Sequence, residues 1–152
     1  MSDERDPAAA ARAIIDANRY MVLATADGSG RPWASPVYYA PAGYRDFYWV
    51  SAPEARHSRN VDARPEVGIV IFDSSVPIGA GQAVYMSASA RELVDEERED
   101  GIAVFSRRNL EHGAEAWTLS SVEPPARHRV YRAIAAEHYV LDARDRRVPV
   151  EL

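Results

Sequence analysis

Six short runs of β-forming residues, most of them joined by tight turns, constrain this chain more than any other feature. Residues 20–26, YMVLATA, are apolar and strand-like, and the turn DGSG at 27–30 follows directly. Residues 31–40, RPWASPVYYA, form a second run broken by Pro32 and Pro36. Proline cannot donate to a ladder, so this strand belongs at an edge, at a bulge or facing a ligand. RDFYWVS (45–51), VGIVIFD (67–73), AVYMSASARELV (83–94) and RHRVYRAIAAEHYVLD (127–142) supply the other four. The 83–94 run alternates, placing Ala83, Tyr85, Ser87 and Ser89 on one face and Val84, Met86, Ala88 and Ala90 on the other. Helical patterns occupy 7–18, the stretch after Ser51, 95–108 and, briefly, 115–120. The helices do not alternate regularly with the strands, so a doubly wound parallel sheet is excluded. The pattern predicts one mainly β (α+β) domain over 1–152: a six-stranded antiparallel barrel with peripheral helices. The tail ARDRRVPVEL is expected to be poorly ordered without a partner.

One segment stands out electrostatically. Within SAPEARHSRNVDARP (51–65), Arg56, His57, Arg59 and Arg64 face only Glu54 and Asp62, in a chain of net charge −5. Ser51 and Glu54 have capping-box spacing, which predicts a helix beginning at Ala52 and ending before Pro65. Arginine at a helix start opposes the macrodipole. A phosphate there would suit both the guanidinium and the free N–H groups. A solvated surface helix salt-bridged to Glu54 and Asp62 fits the same residues, and the sequence leaves both readings open. The acidic run DEERED (95–100) differs, because Arg107 and Arg108 close the same helix and both ends complement the dipole.

Composition excludes several chemistries. The chain has no cysteine, which removes disulfides, thiolate metal sites and a cysteine nucleophile. All 18 basic residues are arginine, so no lysine can form a Schiff base. The acidic balance argues against nucleic-acid binding. No apolar run reaches membrane-spanning length, and MSDERDP is not the apolar core of a signal peptide, so a cytoplasmic protein is expected. The motifs G-x-S-x-G and HExxH are absent, and GAG at 79–81 precedes a strand, where a dinucleotide fingerprint needs a helix. No metal site is expected from His57, His112, His128 and His138. Trp33, Tyr38, Tyr39, Tyr44, Phe47, Tyr48 and Trp49 crowd the second and third runs. They serve either as core and a dimer face or as a wall for a flat conjugated ligand.

The order of these pieces resembles the pyridoxamine 5′-phosphate oxidase-like family, the flavin-binding split barrels. The resemblance rests on LATADGSGRPWASPVYYA, FYWVS, RHSRNVDARPEVGIVIFD, GQAVYMSASARELV and VYRAIAAEHYVLD, and it covers roughly Ile14 to Asp142. Its most specific piece is S-x-x-x-R-H-x-x-N-V-x-x-R-P-x-V, from Ser51 to Val67. The resemblance implies a split barrel forming a homodimer with two flavin mononucleotides (FMN) at the interface. It implies Pro36, Val37 and Tyr38 next to the ring, and Trp49, Val50 and Ser51 along the ribityl chain. Arg56 and His57 would meet the phosphate, Asn60 would brace the helix, and Gln82 would approach the ring's polar edge. Trp117 would come from the partner's side of the site.

Two departures qualify that picture. His57 stands where family members often carry lysine, which shifts the phosphate contact onto Arg56. The ending RDRRVPVEL does not match the segment that completes the vitamin-phosphate site, so pyridoxamine phosphate is not assigned as substrate. The expected activity is flavin-dependent oxidoreduction of a small molecule. A deazaflavin coenzyme on the same fold, or a non-catalytic flavin or haem binder, are the alternatives. No acid–base catalyst stands out, and Tyr38, Tyr85 and His128 are only candidates.

Overall fold

The computed structural model describes residues 6–152; the charged leader MSDER, read above as no signal core, lies outside the described residues. The fold is a curled, wholly antiparallel sheet of eight strands with three α-helices. The strands are β1 (Tyr20–Ala26), β2 (Pro32–Tyr38), β3 (Ala40–Ala42), β4 (Asp46–Ser51), β5 (Glu66–Phe72), β6 (Ala83–Glu92), β7 (Arg129–Leu141) and β8 (Arg147–Val150). The helices are α1 (Pro7–Ala17), α2 (Arg56–Ala63) and α3 (Glu96–Glu111). The sheet order is β2-β1-β5-β6-β7-β4-β3, with β8 added to β7. All six expected strands are present, in the split-barrel arrangement.

The two additional strands correct the sequence reading. The second run divides at Tyr39 into β2 and β3. The tail is not loose: His138 to Leu141 pair with Val150 to Arg147, and Val148, Val150 and Leu152 pack on the main core. Those alternate apolar residues were the signal, hidden by the charges of RDRR before them.

Edge position explains the prolines. β2 pairs with β1 alone, so Pro32 and Pro36 break no interior ladder. Between β1 and β2, the Asp27 carboxylate accepts from the N–H groups of Ser29 and Arg31, and Gly30 takes φ +89° to close the turn. Strand β6 alternates as its sequence requires, with Val84, Met86, Ala88 and Ala90 buried, although Ala83 is buried too. The main core gathers Ile15, Met21, Leu23, Ile69, Ile71 and Trp49 inside the curl. A second cluster lies under α3, where Tyr48, Leu93, Ile102, Phe105, Val122 and Val130 meet. Gly101 permits that contact: a Cβ there would overlap Leu93 Cδ1 and lie 3.2 Å from Tyr48 Cδ1. Most of the crowded aromatics are core, with Tyr39, Phe47, Tyr48 and Trp49 all buried.

Candidate functional site

Strand β4 runs on through Ser51, which pairs with Arg129, and this shifts the following helix. α2 begins at Arg56, not Ala52, and its N-cap Ala55 provides no side-chain cap. The expected Ser51–Glu54 capping box is therefore absent. The Ser51 hydroxyl is engaged elsewhere, with its Oγ 2.8 Å from His57 Nε2. Ser58 closes the intervening turn by donating from Oγ to the Ala52 carbonyl at 2.8 Å. With no side-chain cap, the first-turn N–H groups of α2 have no side-chain acceptor among the described residues, the arrangement that attracts an anion. At the other end Arg64 is extended (φ −140°), as expected before Pro65.

Asn60 fixes this helix to the sheet. It is buried, and its Nδ2 donates to Thr25 Oγ1 on β1 at 3.0 Å. Opposite β1 lies β2, and from β2 Trp33 reaches the start of α2. The Arg56 guanidinium sits over the Trp33 ring, 4.2 Å from its centroid. That contact is worth about 0.5–1 kcal/mol at an exposed site. A charge-assisted hydrogen bond is worth about 1.5–3 kcal/mol. An arriving phosphate can therefore outcompete the indole for Arg56.

A cleft of about 400 Å³ opens beside α2, lined by Asp27, Glu54, Arg56, Arg59, Asn60 and Ala63. Arg56 and Arg59 form no ion pair among the described residues. The pairing with Glu54 that the surface-helix reading calls for is not formed: Glu54 faces Arg127 at 3.8 Å. The carboxylate of Asp27 is held by its own turn, whose hydrogen bonds from the Arg31 N–H and the Ser29 hydroxyl keep it below the usual carboxylate range. Burial lowers the pKa of His57, so the imidazole beside Ser51 is a neutral hydrogen-bonding group at neutral pH. The permanent positive charge of the site rests on its arginines.

The other anticipated residues divide into groups. Tyr38, Val50 and Trp117 all pack against the second core cluster, Tyr38 and Trp117 through opposite edge-to-face contacts with Phe105. Val50 precedes Ser51, and Trp117 touches His128, the neighbour of Ser51's pairing partner Arg129, which places these two toward the Ser51 end of β4; none of the three lines the α2 cleft. The Tyr38 hydroxyl lies 2.6 Å from His112 Nδ1 at the end of α3. Burial raises the pKa of Tyr38 and lowers that of His112. Pro36 is exposed on the outer sheet face. Val37 and Trp49 turn inward; Trp49 is 0% exposed and stacked on Tyr131, so its side chain is a core element and not a wall for a ligand. Tyr85 lies on the outer face beneath Arg147.

Gln82 is not brought to α2 within one chain. It lies beyond the far ends of β5 and β6, in a cleft of about 560 Å³ with Leu141 and Asp142. The six residues from Val67 to Phe72, five strand steps, alone separate it from α2 by roughly 17 Å. Sequence reasoning missed Thr25, Asp27 and Arg59 as neighbours of one cleft. Asp27 reads as a turn residue in DGSG, and the family resemblance points to Arg56 and His57 but not to Arg59.

Comparison with known proteins agrees with this fold. No curated protein sequence matches the chain. Among solved structures, a haem-binding protein from Mycobacterium smegmatis superposes with TM-score 0.73 at 20% identity, covering 97% of this chain. The chain spans only 58% of that protein's length. The haem storage protein HutZ from Vibrio cholerae gives TM-score 0.65 at 21% identity, covering 82% of this chain and 86% of its own. An FAD-binding protein from Mesorhizobium loti gives 0.64 at 22% identity, covering 88% and 92%. At these identities the likeness is one of fold. The family described as pyridoxamine 5′-phosphate oxidase matches residues 8–141, from α1 to the end of β7, and the chain belongs to that family.

Proposed function

We propose that this protein binds a flavin-type cofactor, FMN in the simplest case, with the phosphate at the start of α2, and acts as a flavin-dependent oxidoreductase on a small organic molecule. The carrying observation is Arg56. It stands at an uncapped helix start, without a carboxylate partner among the described residues, beside the Ser51–His57 pair. These residues suit a phosphate: one full charge, free N–H groups, a neutral imidazole and a helix held by Asn60. A bound flavin would supply hydride transfer. The chain's part is to hold the phosphate through Arg56 and to orient the cofactor from the Val50–Ser51 end of β4 and from Tyr38.

A homodimer belongs to this reading. On the outer sheet face, Val22 aligns with Pro36 and Val70, and Ala24 with Ala34 and Gly68. These small and apolar side chains line up beside Tyr85 without a covering layer in one chain. Such a face is a typical interface between copies. Light scattering at micromolar concentration tests it, and a monomer there removes the shared site.

The spectrum of the freshly purified protein tests the cofactor. Flavin bands support the proposal, whereas deazaflavin bands keep the fold and change the coenzyme. An intense haem band favours the second reading, a haem-binding protein. Two named structural neighbours are haem proteins, and His128 sits against Trp117 beside the site. Titration with FMN and riboflavin then tests the phosphate; equal affinities remove α2 from the site.

A further inference from the structure

The α2 cleft carries two guanidinium groups, Arg56 and Arg59, one more than a single phosphate requires, with the carboxylates of Asp27 and Glu54 on the same wall. Arg56 and Arg59 line it together, three positions apart, where side chains on a helix are neighbours. Arg56 already stands at the helix start over Trp33. Arg59 is exposed one turn further along, on the same side of α2 as Asn60 and Ala63. Neither guanidinium is neutralised by an ion pair among the described residues. Asp27 is occupied by its own turn, and Arg64, which might have crowded the cleft, donates instead to the Gly28 carbonyl at 3.1 Å. The cleft's volume of about 400 Å³ lies within the usual range for small-molecule sites.

We infer that Arg59 binds a second anionic group beyond the first phosphate, so that the site selects a cofactor with a multiply charged tail over FMN. This rests on the phosphate reading above and names the specificity of that same site. Two guanidinium groups at this spacing can grip adjacent anionic groups separately, one each, through charge-assisted hydrogen bonds. Two sources share that chemistry: the diphosphate of a dinucleotide flavin, and the phosphate plus carboxylates of a deazaflavin coenzyme. Glu54, on the cleft wall and only loosely paired with Arg127, opposes any anion placed there.

The test is a set of equilibrium titrations of the full chain with riboflavin, FMN, FAD and a deazaflavin coenzyme, in wild type and variants. One of the two tailed molecules is expected to bind about tenfold or more tighter than FMN, the value of one added charge-assisted contact. Which one does so identifies the source. Arg59→Ala should cancel that advantage while changing FMN affinity less than about threefold, and Arg59→Lys should restore part of it. Glu54→Gln should tighten the tailed molecule more than FMN. A melting curve of Arg59→Ala without ligand checks that the exposed substitution leaves the fold intact. Equal binding of FMN and both tailed molecules overturns the inference, as does an Arg59→Ala loss that is the same for FMN and the tailed molecule. Either outcome leaves the phosphate reading standing if FMN still exceeds riboflavin. If riboflavin binds as well as all three, the phosphate reading and the inference fall together.

Discussion

Helices α2 and α3 both carry arginine clusters, and the structure treats them in opposite ways. Around α3 Arg91, Arg98, Arg108 and Arg132 each have an internal acceptor. Arg91 and Arg132 converge on Glu97, Arg98 faces Glu123 at 3.6 Å, and Arg108 donates to the Asn18 carbonyl at 2.8 Å. α3 also begins with Glu96, Glu97 and Glu99 and ends with Arg108, in accord with its dipole. At α2 the cations stand at the start, against the dipole, and Arg56 has a tryptophan ring for company where α3 offers carboxylates. Charge satisfied within the fold contributes to stability; charge left over is available to a ligand. Distinguishing the two needs the partners, and a count of arginines does not supply them.

Four experiments can break or sharpen that contrast. The largest effect is expected at Gly101, where α3 meets the sheet. Gly101→Val should force Leu93 and Tyr48 apart and destabilise the protein by about 1–3 kcal/mol, read as a drop in Tm. Folded Gly101→Val protein that binds FMN normally would confirm that α3 is structural. A neutral substitution would show that the packing under α3 is looser than described.

Next comes a paired test of the arginines. Arg56→Ala should weaken FMN binding about ten- to a hundredfold with little change in melting. Arg98→Ala should leave FMN affinity unchanged and lower stability by about 1 kcal/mol or less, as partly exposed pairs do. Exchange of those two outcomes would invert the comparison. Arg59 lines the same cleft as Arg56 and cannot serve as its control.

The third effect is pH-dependent. Burial lowers the pKa of both His57 and His112, with the Arg108 charge adding to the shift at His112. The folded state therefore holds fewer protons than the unfolded one in a window below the ordinary histidine value of about 6.5. The stability that these residues contribute is complete above that value and is lost as pH falls through their lowered folded values. Ligand-free protein should melt earlier at pH 5 than at pH 7.5, and His57→Gln should shrink the difference. An unchanged slope in that variant and in His112→Gln would mean that neither imidazole is held neutral.

The smallest effect belongs to Glu97. Its hydrogen bond from Arg91 lowers its pKa, so its contribution is present above the ordinary carboxylate range and lost as acid brings the pH through the lowered folded value. The group is exposed and screened by salt, so Glu97→Gln should shift melting slightly at low ionic strength and not at all at high. A salt-independent shift would mean that the network is tighter than its exposure indicates.

The sequence by itself determined the strand order along the chain, the exclusion of the proline-bearing strand from a central ladder, the division of β6 into two faces and the basic segment that α2 carries. These follow from local rules: proline removes a donor, alternation selects a face, and Pro65 ends a helix. Local rules also misplaced the start of α2, because the Ser51–Glu54 spacing fits a cap while the ladder to Arg129 keeps Ser51 in β4. Only the tertiary structure decided which aromatics are core, since Trp49 and Trp33 look alike in the sequence but are 0% and 43% exposed. It alone paired the tail with β7, sent Gln82 to the far end of the sheet and brought Arg59 into the cleft with Arg56 and Asp27. Each of these depends on contacts between residues distant in the chain. Burial and charge pairing arise from such contacts, and periodicity within one segment carries no record of them.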